Sequence, residues 1–112
     1  MTDDDLERVA MLQRLDPDRV DDYLEAHEDV PEAVPAAMER GGVETFRLFV
    51  RGEVSVGYIE VEDFEAFNEE YMADPECREW EERVAEFKRA GVDVDSGEMP
   101  LMDEVWTFGQ EI

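Results

Sequence analysis

The chain is poor in the side chains that most often carry chemistry. Its 112 residues include one cysteine, one histidine and one lysine. The single cysteine, Cys77, excludes an internal disulfide and a cysteine-based zinc site, and the single histidine, His27, excludes a site with two histidine ligands. No glycine-rich phosphate loop is present, and no serine lies in a nucleophile-elbow context. The sequence therefore predicts neither a metal nor a cofactor.

Long apolar runs and positive charge are also missing. The sequence contains no apolar run of about 18 residues and no signal peptide, so we expect a cytoplasmic protein that does not enter a membrane. Ten basic residues are outnumbered by 33 acidic ones, which gives a net charge of −23. Because no basic patch is available to neutralise phosphates, nucleic-acid binding is not expected.

The acidic residues are dispersed along the chain rather than clustered. They are interleaved with apolar residues at helical spacing, and the longest unbroken acidic run is Asp3-Asp4-Asp5. With 43% hydrophobic residues, this pattern is typical of a folded domain and not of an acidic tail or a nucleic-acid mimic. Such a surface suits a cytoplasm of high salt concentration, because at ~1 M salt the Debye length falls to ~3 Å. We therefore predict a halophilic protein whose folding depends on salt.

The apolar periodicity predicts the element order β-α-β-β-α-β. The first helical region is predicted to open at an Asp16-Pro17 cap and to break at Pro31 and Pro35. The second is predicted to begin at Asp63 and to restart at Asp74-Pro75, which repeats the cap. Asp29 is a possible cap for the restart after Pro31. The predicted strands are 9–15, 43–50, 54–61 and 104–109, and the predicted helical regions are 16–40 and 63–90, each ended by glycine.

Two split β-α-β units in this order predict a ferredoxin-like α+β plait, in which a four-stranded antiparallel sheet is covered by helices on one face. We expect residues 1–8 to be a disordered or extended lead and residues 9–112 to form a single domain. The strands are apolar on both faces, as Phe46 and Phe49 illustrate. Because an uncovered apolar face of this size implies a partner, we predict a homodimer packed sheet to sheet, a dimeric α/β barrel.

Tyr23 and His27 are the residues most open to a chemical interpretation. They lie four residues apart on the apolar face of the first predicted helix, so their side chains point the same way. Filling the core is one explanation of this spacing. The other is a proton-transfer pair, because burying an imidazole without a partner costs ~1–3 kcal/mol and because His27 directly precedes the break at Pro31. Spacing alone leaves both open.

Four segments resemble the L-rhamnose mutarotase family: DPDRVDDYLEAHEDVPEAVPAAMERGGVETFRLFV (16–50), YIEVEDFEAF (58–67), MADPECREWEE (72–82) and LMDEVWTFG (101–109). The resemblance implies a dimeric ferredoxin-like fold and cofactor-free interconversion of the two anomers of L-rhamnose or a related deoxyhexose. It places the family's acid/base histidine on His27, its substrate-contacting tyrosine on Tyr23, and the first tryptophan of its Trp-Trp pair on Trp80.

Two positions depart from the family pattern. The second tryptophan of the pair is Glu81, and a sugar-contacting tyrosine on the second strand is Phe46. These changes alter how a sugar would be held, so the resemblance implies the reaction more firmly than the substrate. The rival interpretation is a non-catalytic ligand-binding or regulatory dimer of the same fold. A third, a cofactor-free monooxygenase of the dimeric α/β barrel type, is supported by the predicted fold alone.

Overall fold

The computed structural model describes residues 6–90 and 101–109 of the chain. The predictions for residues 1–5, for the loop between 91 and 100 and for residues 110–112 lie outside this range. The elements follow in the order β1 (Glu7–Leu15), α1 (Val20–Ala26), α2 (Ala33–Arg40), β2 (Val43–Arg51), β3 (Val54–Val61), α3 (Phe64–Ala73), α4 (Pro75–Ala85), β4 (Lys88–Ala90) and β5 (Leu101–Met102).

The strands form one antiparallel sheet in the order β2-β3-β1-β4, and β5 also pairs with β1. Both β4 and β5 lie along the edge of β1 opposite β3, so together they occupy the place of the fourth strand of the plait. The predicted ferredoxin-like α+β fold is therefore confirmed, with its last strand in two pieces and each helical region divided into two helices.

The helices cover one face of the sheet. In β3 the residues that point toward the helices are buried, while their neighbours along the strand are half-buried, as the alternation of a β-strand requires. Helix α2 packs against α3 and α4, and the core that results includes Leu15, Ile59, Val61, Phe67 and Val84. Each such side chain contributes about 1.5–3 kcal/mol by leaving water.

The opposite side of the sheet, which we call the outer face, carries Ala10, Leu12, Val56 and Phe49. The first three are half-buried and Phe49 is 58% exposed. No helix of the described range packs on this face. It is the face through which the sequence predicted that the homodimer would pack.

Both helices of the second region begin after an acidic cap, of which Asp74 was predicted and is confirmed, whereas Asp63 had been assigned to the helix itself. The Asp63 carboxylate accepts a hydrogen bond from the Ala66 N–H at 3.1 Å. Asp74 Oδ1 accepts from the N–H groups of Glu76, at 2.9 Å, and of Cys77, at 3.3 Å. These two backbone hydrogen bonds lower the pKa of Asp74. Both caps satisfy N–H groups that the first helical turn leaves without partners.

The start of the first helix was predicted wrongly. Asp16 does not cap it, because its carboxylate accepts from the Asp18 N–H at 2.9 Å and its carbonyl from the Arg19 N–H at 2.8 Å. These bonds form a turn, and α1 begins only at Val20. Asp29 does not cap the restart either, since Glu32 precedes α2 and makes no side-chain cap bond.

The end of the chain also differs from the prediction. Helix α4 ends at Ala85, and the predicted strand 104–109 is absent from the described residues. Of residues 101–109, Leu101–Met102 alone pairs with β1. Extending this register by three residues would place Val105 opposite Glu7, the first residue of β1, so the segment beyond has no strand to pair with. Its apolar side chains are largely exposed: Val105, Trp106 and Phe108.

Candidate active site

A cavity of about 310 Å³ lies between the sheet and the helices. This volume is at the lower end of the roughly 300–1,000 Å³ typical of small-molecule sites. Most of its wall is apolar. The cavity is lined by all five residues that were singled out from the sequence. These are Tyr23 on α1, His27 at its end, Phe46 on β2, and Trp80 and Glu81 on α4.

His27 lies directly after the last residue of α1, where the chain breaks before α2. It is half-buried, and its Nδ1 lies 2.8 Å from the carbonyl oxygen of Tyr23. A carbonyl oxygen accepts hydrogen bonds only, so Nδ1 carries the hydrogen and donates. In the neutral ring the lone pair is therefore on Nε2, which is the nitrogen left to exchange a proton with a ligand.

Two aromatic rings hold the imidazole from either side. The ring centroids of Tyr23 and His27 are 4.5 Å apart, and those of His27 and Trp80 are 5.2 Å apart with an interplanar angle of 76°. Tyr23 and Trp80 are both buried, so the position of the imidazole is set by packing as well as by its hydrogen bond. The i, i+4 pair is thus a real contact, and Trp80 joins it from a separate helix.

The phenol of Tyr23 reaches across to the sheet. Its Oη lies 2.9 Å from the Oγ of Ser55 on β3, and both side chains are buried. Burial raises the pKa of Tyr23, and the hydrogen bond to Ser55 offsets part of that rise. The phenol is therefore protonated at neutral pH. Sequence reasoning assigned no role to Ser55, although the alternation of β3 places it on the buried face.

A second polar pair completes the wall near α4. The Oη of Tyr71 donates a hydrogen bond of 2.7 Å to Oε2 of Glu81. Burial, followed by the charge of Glu81, raises the pKa of Tyr71 well above its usual range. Lys88 also lines the cavity, and burial lowers its pKa. Sequence reasoning treated Tyr71 only as part of an apolar stripe and assigned nothing to Lys88.

Phe46 lies at the rim of the cavity, since it is 39% exposed and also lines the wall.

Cys77 is fully buried, its Sγ donates to the Ala33 carbonyl at 3.4 Å, and burial raises its thiol pKa to about 11. It is a packed thiol rather than a reactive one.

Residues 6–90 and 101–109 contain neither a metal-binding cluster nor a membrane-spanning helix. No group of three or more histidine, cysteine, aspartate or glutamate side chains is arranged to hold a metal ion. No helix in that range has the length and apolarity to cross a membrane.

The fold is a ferredoxin-like α+β plait, and its cavity of small-molecule size is lined by one imidazole that a hydrogen bond and two aromatic contacts hold in place. The model of the L-rhamnose mutarotase family matches residues 8–108, so the chain belongs to the L-rhamnose mutarotase family. It is accordingly an isomerase of the aldose 1-epimerase class, and the activity expected from the sequence is confirmed at this level.

Solved structures with the same fold extend beyond that family. L-rhamnose mutarotase FA22100 from Formosa agariphila matches with a TM-score of 0.71 and 16% identity, over 91% of this chain and 98% of its own. A putative antibiotic biosynthesis monooxygenase from Bacteriodes thetaiotaomicron matches with a TM-score of 0.64 and 14% identity, over 99% of both chains. Tetracenomycin F2 cyclase from Streptomyces glaucescens matches with a TM-score of 0.61 and 21% identity, over 94% and 99%. No curated protein sequence matches. At these identities the structures show a shared fold only.

Proposed function

We propose that this mutarotase interconverts the α and β anomers of L-rhamnose or a related deoxyhexose, with His27 as the acid/base. The observation that carries the proposal is the hydrogen bond between His27 Nδ1 and the Tyr23 carbonyl, 2.8 Å long. It directs Nε2 to be the exchanging nitrogen in a cavity large enough for a pyranose.

The reaction requires only that protons be moved. A base removes the proton of the anomeric hydroxyl, an acid protonates the ring oxygen, and the C1–O5 bond breaks to give the open-chain aldehyde. Rotation about C1–C2 presents the other face of the carbonyl, and ring closure reverses both proton transfers. A positioned general acid or base contributes about 10²–10⁴-fold to such a step. An imidazole, with a reference pKa of ~6.5, is suited to giving and taking a proton near neutrality.

The neighbouring side chains have supporting roles in this mechanism. Trp80 offers a flat apolar surface to the C–H face of the sugar, and its edge contact holds the imidazole. Tyr23 orients the imidazole through its carbonyl and donates or accepts at a sugar oxygen. Phe46, at the rim, packs on the ligand without a phenol. Glu81 accepts a hydrogen bond from a sugar hydroxyl through Oε1, because Tyr71 donates to Oε2.

The same proposal includes a cytoplasmic homodimer packed through the outer face. It is supported by the apolar side chains of that face and by the exposed Val105, Trp106 and Phe108, because large exposed apolar patches mark interaction surfaces. Sedimentation in high salt is expected to give the mass of a dimer. A compact monomer would contradict this part of the proposal.

The catalytic proposal is tested by adding protein to freshly dissolved single-anomer L-rhamnose in high salt and following optical rotation, or by saturation-transfer NMR at equilibrium. The wild-type protein is expected to accelerate mutarotation, and His27→Ala to lose about 10²–10⁴-fold of that acceleration. Glu28→Ala is the matched control, because Glu28 is the next residue and is exposed. Sugar binding without acceleration would support the non-catalytic alternative instead.

A further inference from the structure

Two amide oxygens in the cavity wall have no hydrogen-bond partner within residues 6–90 and 101–109. Gln13 Oε1 and Asn68 Oδ1 are buried, and neither accepts a hydrogen bond from any residue that the structure describes. Gln13 is only 6% exposed. Both residues line the cavity that contains His27. Neither residue takes part in the contacts of His27 with Tyr23 and Trp80 or in the Tyr71–Glu81 hydrogen bond.

The two amides approach the cavity from different walls. Gln13 is on β1, on the same face as Met11 and Leu15, which are both buried apolar residues. Asn68 is on α3, next to buried Phe67. The sheet therefore supplies one acceptor and the helical layer supplies the other.

An unpaired buried carbonyl is costly, because it loses its hydrogen bonds to water on folding and gains none in return. Leucine or methionine would fill either position on these apolar faces without that cost. Buried acceptors without partners are rare in native proteins and need a specific explanation. A ligand that donates hydrogen bonds from two sides supplies one, and a polyhydroxylated ring is such a ligand.

We propose that Gln13 and Asn68 form a hydroxyl-reading pair that binds two ring hydroxyls of the sugar and determines which sugars the enzyme accepts. The inference rests on the proposed function, since it assumes a sugar in this cavity. A flat apolar ligand would leave both oxygens unpaired, so the pair selects a polyol over such a molecule.

The chemistry of the reaction limits which hydroxyls the pair reads. During mutarotation the C1–O5 bond breaks and C1 turns about the C1–C2 bond, so the hydroxyl on C1 changes position between the two anomers. The hydroxyls on C2, C3 and C4 keep their relative arrangement in both anomers. Binding two of these holds the sugar while C1 turns beside His27.

The test measures binding rather than turnover. L-rhamnose and its analogues lacking the hydroxyl at C2, C3 or C4 are titrated by calorimetry into the wild-type protein and into Gln13→Met and Asn68→Ala. Glu69→Ala is the matched control, because Glu69 is the next residue on α3 and is exposed. Thermal melts of each sugar-free variant accompany the titrations.

Each variant is expected to bind L-rhamnose about 10-fold more weakly than the wild type, and to lose no further affinity when one particular hydroxyl is removed from the sugar. The wild type and Glu69→Ala lose about 10-fold for that same analogue. Sugar-free Gln13→Met is expected to melt at or above the wild-type temperature, because methionine leaves no acceptor unpaired.

Three results would overturn the hydroxyl-reading pair: a wild-type protein that binds none of the sugars, variants that keep the wild-type preference among analogues, or a sugar-free Gln13→Met that melts well below the wild type. A wild type that binds with the expected hydroxyl preference but does not accelerate mutarotation refutes the catalytic proposal and leaves the pair supported. The two failures are therefore distinguishable.

Discussion

The hydrogen bond between Tyr23 and Ser55 joins the first helix to the centre of the sheet, and its removal has a predictable cost. Its two oxygens are 2.9 Å apart, and the residues are 2% and 0% exposed. Ser55→Ala leaves the phenol buried without a partner, which costs about 1–3 kcal/mol. In a domain of this size each kcal/mol lowers the melting temperature by roughly 4–8 °C.

Removing the other partner of this hydrogen bond is expected to destabilise the protein for the same reason. Tyr23→Phe leaves the Ser55 hydroxyl without its partner, whereas Tyr23→Phe combined with Ser55→Ala removes both polar groups together. The double variant is therefore expected to lose about 0.5–1.5 kcal/mol less than the sum of the two single variants. This difference is the coupling energy of the pair.

Urea denaturation in high salt measures all four free energies of unfolding. Thr45→Val serves as a control, because it removes a hydroxyl from a neighbouring strand at a position with no such buried partner among the described residues. If the costs of the two single variants simply add, the hydrogen bond does not contribute as described and the reasoning fails.

Three further outcomes follow from the structure. Because the pKa of Tyr71 is raised in the folded state, its contribution to stability is fully present below about pH 10 and is lost as the pH rises toward the folded-state pKa. Tyr71→Phe should therefore flatten the alkaline fall in the free energy of unfolding by up to about 1.4 kcal/mol per pH unit. An unchanged slope would contradict this. Gly41→Ala places a Cβ in steric overlap with Cδ1 of Phe67, so urea denaturation should show a loss of about 1–3 kcal/mol in the free energy of unfolding; a neutral result would refute the overpacking. At a net charge of −23, the melting temperature followed by circular dichroism should rise with KCl, and a melt insensitive to KCl would count against salt-dependent folding.

The parts of the fold that were predicted well are those determined by local signals. Strand β3 has the predicted bounds and β2 differs by one residue, because their apolar alternation is bounded by a turn at Gly52, whose φ is +58°. Helix α4 begins after Asp74 as predicted, because the cap acts on N–H groups only two and three residues away.

Apart from the caps expected at Asp16 and Asp29, the parts that were missed depend on contacts distant in sequence. A strand pairs only where another backbone runs beside it. The apolar alternation over 104–109 could not show whether β1 extends far enough to pair with this segment. The site follows the same rule. The pairs that join Tyr23 to Ser55 and Tyr71 to Glu81 are separated by 32 and 10 residues, and no periodicity connects residues on different elements.

Tyr23 serves the imidazole and the sheet with different parts of one residue. Its main chain fixes the tautomer of His27, and its side chain anchors the helix to β3. Substituting the side chain therefore leaves the choice of exchanging nitrogen intact. A substitution at position 23 weakens the packing of the imidazole and the anchor on β3, but it does not change which nitrogen of His27 carries the hydrogen.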